Sequence, residues 1–199
     1  MGRTAGRTSE ETRKLLLAAA GRVLRAKSIS ATLEDIAREA GVSKGGLIYH
    51  FASKDELFLA LAQGILDDFH ACIEAETDPE DTAPGAYTRA YIRTMLTPQA
   101  DDTAVLEDMV LLGQLLSVPT IAAIARADAD ALEDRLRGDG LRDDVRLLVV
   151  AAADGANSAP IWGGRSRPAA ELDALKRHLL ELTRQPEPQD GQNWLSLPR

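Results

Sequence analysis

Between positions 32 and 54 lie the residues best suited to gripping a polyanion. They are the hydroxyls of Thr32 and Ser43, the ammonium groups of Lys44 and Lys54, the phenol of Tyr49 and the imidazole of His50, with Gly45 and Gly46 between them. Ammonium groups suit point-charge contacts to phosphate, and hydroxyl and imidazole groups are shorter hydrogen-bond donors. Thr32 and Ser43 could equally cap helices, hold a phosphate, or do both. The adjacent glycines cost about 1 kcal/mol each relative to Ala in an exposed helix, so something other than helical propensity favours them. Two reasons stay open: close approach of the backbone to nucleic acid, and tight crossing over the preceding helix. The plainer reading of the same residues is capped helices with a solvated basic face and an aromatic in a small core.

Other chemistry is poorly provided for. His70 and Glu74 stand four apart, near Asp67 and Cys72, and could hold a metal, but a solvated helix face accounts for the same spacing. No Gly-rich phosphate loop follows a strand and no nucleophile-and-base motif occurs. The expectation is therefore no enzyme, no metal and no cofactor. The single cysteine, Cys72, cannot form an internal disulfide and reads as a small buried or half-buried thiol.

The elements that position the first group are legible. Thr8 with Glu11 forms a capping box opening a helix over about 9–26, with Leu16, Ala20, Val23 and Leu24 at helical spacing. Thr32 with Asp35 opens a second, whose apolar residues Leu33, Ile36, Ala37 and Ala40 end at Gly41, where a helix terminus wants a left-handed residue. Ser43 caps a short third helix, and Ser53 with Glu56 opens a fourth running to about 76. Two short helices joined by a three-residue Gly-containing turn make a helix-turn-helix, whose second helix lies in the major groove of DNA. Five further helices are predicted over about 85–97, 102–117, 119–137, 142–159 and 168–184, punctuated by Pro98, Pro119, Gly138, Gly140 and Pro160. The fold class is thus all-α with about nine helices. It comprises a flexible basic arm (1–8), a DNA-binding domain (9–53), a body (54–184) entered through a connecting helix (54–76), and a disordered Pro/Gln-rich tail (185–199).

Composition agrees. At 45% hydrophobic and 4% aromatic, the 199 residues resemble a helical protein more than a sandwich or barrel. No apolar run is long enough to span a bilayer and the N-terminus lacks an apolar signal core, so a cytoplasmic protein with no membrane partner is expected. The net charge of -8 is uneven: residues 1–56 carry 10 Lys/Arg against 7 Asp/Glu, whereas the remainder carries 13 against 24. A basic head is joined to an acidic body.

The run TLEDIAREAGVSKGGLIYHFASKDELFLAL, residues 32–61, resembles the TetR (tetracycline-repressor-like) family of bacterial transcription regulators. Its pattern couples T-x-x-x-I-A-x-x-A-G-V-S to a short recognition helix ending in aromatic residues, His/Tyr and Phe, and then S-K-x-x-L. The resemblance implies that Thr32 and Lys54 hold phosphates. It also implies that Ser43, Lys44, Gly45 and Gly46 sit at base edges and that Tyr49 and His50 grip the DNA backbone. Ile48 departs from the Tyr often found there. Lys44 is then the only long donor in the first turn of the recognition helix, so Arg3 and Arg7 of the arm in a minor groove, and DNA shape, would carry part of the specificity. The resemblance further implies a homodimer on a palindromic operator in double-stranded DNA, acting as a repressor released when a small-molecule effector in the body shifts the fourth helix. An alternative is the same fold acting through protein partners.

For the body, the candidate effector-pocket residues are Tyr87, Tyr91, Met95, Met109 and Trp162, with polar Gln114, Asp154 and Asn157 inside apolar stretches. Each is also a plausible core or capping residue. Leu172, Leu175, Leu179 and Leu182, with Leu147 and Val150 on the preceding helix, form the stripe a four-helix dimer interface needs, or else cover the chain's own core.

Overall fold

The computed structural model describes residues 8–97, 102–156, 165 and 167–185. The first helix, α1 (Ser9–Lys27), opens on the predicted reciprocal cap: Thr8 Oγ1 accepts the Glu11 N–H at 3.1 Å, and the Glu11 carboxylate accepts the Thr8 N–H at 2.7 Å. α1 ends in a way the sequence does not mark, with Ser28 at φ 55° and a 3-10 turn over Ser28–Ser30. The Thr32–Asp35 box then starts α2 (Leu33–Ala40), which stops at Gly41 with φ 68°, a left-handed conformation that favours glycine. α3 (Lys44–His50) and α4 (Lys54–Ala75) follow. Ser53 Oγ accepts the Glu56 N–H at 3.0 Å as expected, but the Glu56 carboxylate reaches back to the Ala52 N–H at 2.8 Å.

The later helices are α5 (Ala86–Leu96), α6 (Asp102–Leu115), α7 (Pro119–Arg137), α8 (Asp143–Ala156) and α9 (Ala169–Leu182). All regular structure among the described residues is helical. The expected arm through residue 7 and the tail from 186 lie outside the described residues.

The chain divides into two compact units, one drawn from residues 1–68 and 103–127, the other from 69–102 and 128–199. The sequence suggests a boundary at 53/54. No local signal could have shown that Leu111, Leu115 and Ile121, far along the chain, are buried in the same core as Leu16, Leu24, Ile36, Leu47, Phe51 and Phe58 of the first unit.

The second unit has its own core, in which Ile73, Tyr87, Tyr91, Ile92, Leu96, Leu136, Val149, Leu172 and Leu179 are buried. The α9 residues of the expected dimer stripe border this core. Leu172 and Leu179 are buried within a single chain, Leu175 and Leu182 pack against the same core, and Val150 is half-buried there. The α9 stripe covers its own unit because α9 lies against α5 and α8. The α8 leucines divide differently, with Leu147 and Leu148 exposed. Cys72, expected to be at least half-buried, is exposed beside the buried Ile73.

Two polar devices fix the second unit. α5 has no cap of its own, and Asp139, from the turn after α7, supplies one: its carboxylate accepts the Tyr87 and Thr88 N–H groups at 3.1 and 2.7 Å, and its carbonyl accepts the Gly85 N–H at 2.7 Å. Gly85 sits at φ 86°, and a Cβ there would lie 2.7 Å from Leu141. Arg89 is fully buried, donates twice to Asp81 at 2.6 Å, and also bonds the Pro84 and Ala83 carbonyls at 2.9 and 3.1 Å. One guanidinium therefore ties the loop before α5 to the helix itself. It also holds the Asp81 carboxyl below the usual carboxylate range, chiefly through these hydrogen bonds.

Candidate functional site

In the first unit, α2 and α3 pack against α1 and leave one side of α3 open. Leu47 and Phe51 turn inward, and Arg13 of α1 locks the end of α3 by donating to the His50 carbonyl at 3.1 Å with its guanidinium 4.1 Å from the Phe51 ring centroid. Ser43, Lys44, Gly45 and Tyr49 face outward, Tyr49 with 83% of its surface exposed and its ring edge-on to His50. Lys44 Nζ is 3.8 Å from Glu34, but both side chains are more than half exposed, so that pair is weak and the ammonium is available to a partner.

A Cβ on Gly45 would meet nothing nearer than Ser43 Oγ at 4.0 Å, and one on Gly46 would meet Ser43 Oγ at 3.2 Å and Val42 at 3.9 Å. Neither glycine is required by crossing over α2. For Gly45 no contact among the described residues requires the absence of a Cβ.

Two expected phosphate ligands are already engaged within the chain. Thr32 Oγ1 accepts the Asp35 N–H at 3.1 Å and donates to the Asp35 carboxylate at 2.8 Å. Lys54 donates to the Ile29 carbonyl at 2.5 Å and lies 5.0 Å from the Phe58 ring centroid, joining the 3-10 turn to α4. Hydrogen bonds from Lys27 and Thr32 keep the Asp35 carboxyl well below the usual range, and Arg38 bonds it as well.

In the second unit the structure gathers part of the expected effector set. Tyr87 and Tyr91, one turn apart on α5, are largely buried, and Met95 continues the same ridge. The Tyr91 hydroxyl donates to Asp154 of α8, and the Phe69 ring stands edge-on to Tyr91 at 6.3 Å. The Arg135 guanidinium lies 3.8 Å from the Tyr87 ring centroid and 2.6 Å from Glu74. His70 Nε2 is 2.9 Å from Asp128, while Glu133 pairs with Arg146 at 2.6 Å. Burial raises the Tyr91 phenol, and its bond to Asp154 raises it further. Crowding by the surrounding helices raises the Asp154 carboxyl, against the Tyr91 bond, although the residue still reaches solvent.

Met109 and Gln114 belong to the first unit. They lie on α6, Met109 exposed and Gln114 with a buried side-chain oxygen that accepts no hydrogen bond among the described residues. Asn157 and Trp162 fall outside the described residues. The sequence does not show Phe69, His70 as the partner of Asp128, or Arg135 as site neighbours; helical spacing marks them only as positions on α4 and α7, and the approach of Phe69 to Tyr91 and of Arg135 to Tyr87 is tertiary. Among the described residues no group of three His, Cys, Asp or Glu side chains could hold a metal. No described helix is long and apolar enough to cross a membrane.

The profile of bacterial regulatory proteins of the tetR family matches residues 16–61, and that of the tetracyclin repressor-like C-terminal domain matches residues 85–184. The chain belongs to the TetR family. Among curated TetR-type relatives, the HTH-type transcriptional regulator RutR of Escherichia coli K12 is 35% identical over 131 residues, which make up 65% of this chain and 55% of RutR. The HTH-type transcriptional repressor KstR2 of Mycobacterium tuberculosis H37Rv is 30% identical over 95 residues, 46% of this chain and 48% of KstR2. The chain thus spans about half the length of the curated relatives it matches. A crystal structure of the multidrug binding protein EbrR complexed with malachite green superposes with a TM-score of 0.65 at 24% identity, covering 87% of this chain and 98% of that one, and shows that the two share a fold.

Proposed function

We propose that this chain is a cytoplasmic, homodimeric transcription repressor whose α3 reads a palindromic operator in double-stranded DNA and whose second unit binds the effector that releases it. The observation that carries the reading is the outward side of α3: Ser43, Lys44, Gly45 and Tyr49 are exposed, and no fold contact explains Gly45. In this reading Lys44, Tyr49 and His50 contact phosphate, and Gly45 and Gly46 let the helix backbone approach the groove floor. Thr32 and Lys54 serve first as the cap and the strut that hold the reading helices in place, and the remaining Lys54 donors reach phosphate.

The effector site centres on Tyr87, Tyr91, Met95 and Asp154. Glu74, Asp128 and Glu133 each have a basic partner, whereas among the described residues Asp154 is met by a hydroxyl. A cationic effector fits: it would neutralise Asp154 and face the rings of Phe69 and Tyr91. α4 runs unbroken from the Lys54 end, beside the reading helices, to Phe69 and His70 beside this site. Binding that favours one tilt of α4 changes the spacing of the two reading heads in the dimer; a hundredfold loss of operator affinity needs about 2.7 kcal/mol of differential binding. Exposed Leu147 and Leu148 on α8 supply the apolar surface for the dimer.

Selection of random duplex DNA on the purified full chain tests the reading. Enrichment of a palindrome with half-sites about one helical turn apart is the expected result. Failure to enrich any sequence, with only weak salt-sensitive binding, overturns it.

A further inference from the structure

Successive residues turn about 100° around a helix, so Gly45 and Ile48 share the middle of the outward side of α3, with Lys44 on one flank and Tyr49 on the other. Leu47 and Phe51 occupy the opposite, buried side. Ile48 keeps 43% of its surface exposed, and the position one turn before it is a glycine whose Cβ direction is open. Helical side chains lean toward the N-terminus, which lays the Ile48 side chain along the bare backbone at Gly45. The centre of the reading face therefore presents a branched apolar group, and the donors stand at its edges, where phosphates run.

Such a face discriminates bases by apolar contact. In the major groove the one apolar group on a base edge is the thymine 5-methyl. We propose that Ile48 is a specificity-determining residue that packs on a thymine methyl in each half-site. This rests on the DNA-reading function proposed above. It also gives a use to the position at which the sequence departs from the Tyr often found in the family: the group there reads a base in place of binding a phosphate.

A uracil scan of the selected operator tests the inference. Each thymine is replaced in turn by deoxyuridine, which removes the methyl and leaves base pairing intact, and affinity is measured for the full-length wild type, Ile48→Val and Ile48→Ala. One thymine per half-site is expected to lose about fourfold in affinity for the wild type, the contribution of one buried methyl-sized group, and about fifteenfold when both half-sites are changed. Ile48→Val should keep most of that sensitivity and Ile48→Ala should lose it. If no thymine is methyl-sensitive, or if the sensitivity persists in Ile48→Ala, Ile48 does not read a methyl group although the chain still reads DNA. If no operator is enriched at all, the DNA-reading function fails and this inference with it.

Discussion

Ser43 Oγ accepts the Gly46 N–H at 3.0 Å, and a Cβ on Gly46 would stand 3.2 Å from the same oxygen, whereas Gly45 faces open space. The two neighbouring glycines therefore differ in their surroundings: a side chain on Gly46 would crowd the cap of α3, and one on Gly45 would not. Gly45→Ala should raise stability by up to about 1 kcal/mol while weakening operator binding. Gly46→Ala should gain less, because it crowds a cap worth about 1 kcal/mol. Urea melts alongside binding isotherms check the pair; a Gly45→Ala protein that is more stable and binds DNA equally well would remove the close-approach argument.

Asp154 and Asp81 should show opposite pH signatures. The folded state raises the Asp154 carboxyl, so its ionisation weakens folding above the raised value, and this penalty fades as pH falls toward the unfolded value of about 3.9. Asp154→Asn should thus be more stable than wild type at neutral pH, with the gap closing on acidification. Asp81 is lowered on folding, so its contribution is fully present above about pH 3.9 and is lost as pH falls through its folded value. Asp81→Asn should be less stable than wild type at neutral pH, and that gap should close only in stronger acid. Melting temperatures from pH 7 down to 3 measure both.

Arg89→Met removes a guanidinium with no exposed surface and strands Asp81, which keeps a little solvent contact. A loss of about 3 kcal/mol is expected. Denaturant unfolding measures it, and a loss below about 1 kcal/mol would show that the network is dispensable.

Leu147 and Leu179 should behave differently, though both belong to the same apolar pattern in the sequence. Leu147→Glu, on an exposed position, should leave the fold intact, yield monomers in sedimentation and lower operator affinity. Leu179→Ala, in the core of the second unit, should cost about 2–5 kcal/mol. A dimer that survives Leu147→Glu combined with Leu148→Glu would place the interface elsewhere.

Much of this architecture is legible in the sequence because it is local. The Thr8, Thr32, Ser43 and Ser53 caps and the left-handed Gly41 each depend on residues within four positions, and all are present. What the sequence does not show is long-range. Asp139 caps a helix that begins more than fifty residues earlier, Leu111 and Leu115 return to the core of the first unit, and Tyr91 finds Asp154 across 63 residues. The leucine stripe of α9 is ambiguous for a related reason: spacing reveals an apolar face but not whether it is covered by the same chain or by a copy, and here Leu172 and Leu179 are buried within the chain. For the site, residue types and order point to α3 as the proposed reader, while the use of Thr32 and Lys54 as cap and strut emerges only from their partners.

Whether α3 reads DNA is decided by the binding of the selected duplex to wild type and to Lys44→Ala with Tyr49→Ala, at two salt concentrations. Both side chains are exposed, so thermal unfolding should barely change. If α3 is the reader, the double variant loses most of its affinity and its salt dependence becomes shallower by about one phosphate contact from the lysine alone. Unchanged affinity and salt slope in a folded variant would contradict that reading, and would turn attention to a protein partner for the same fold.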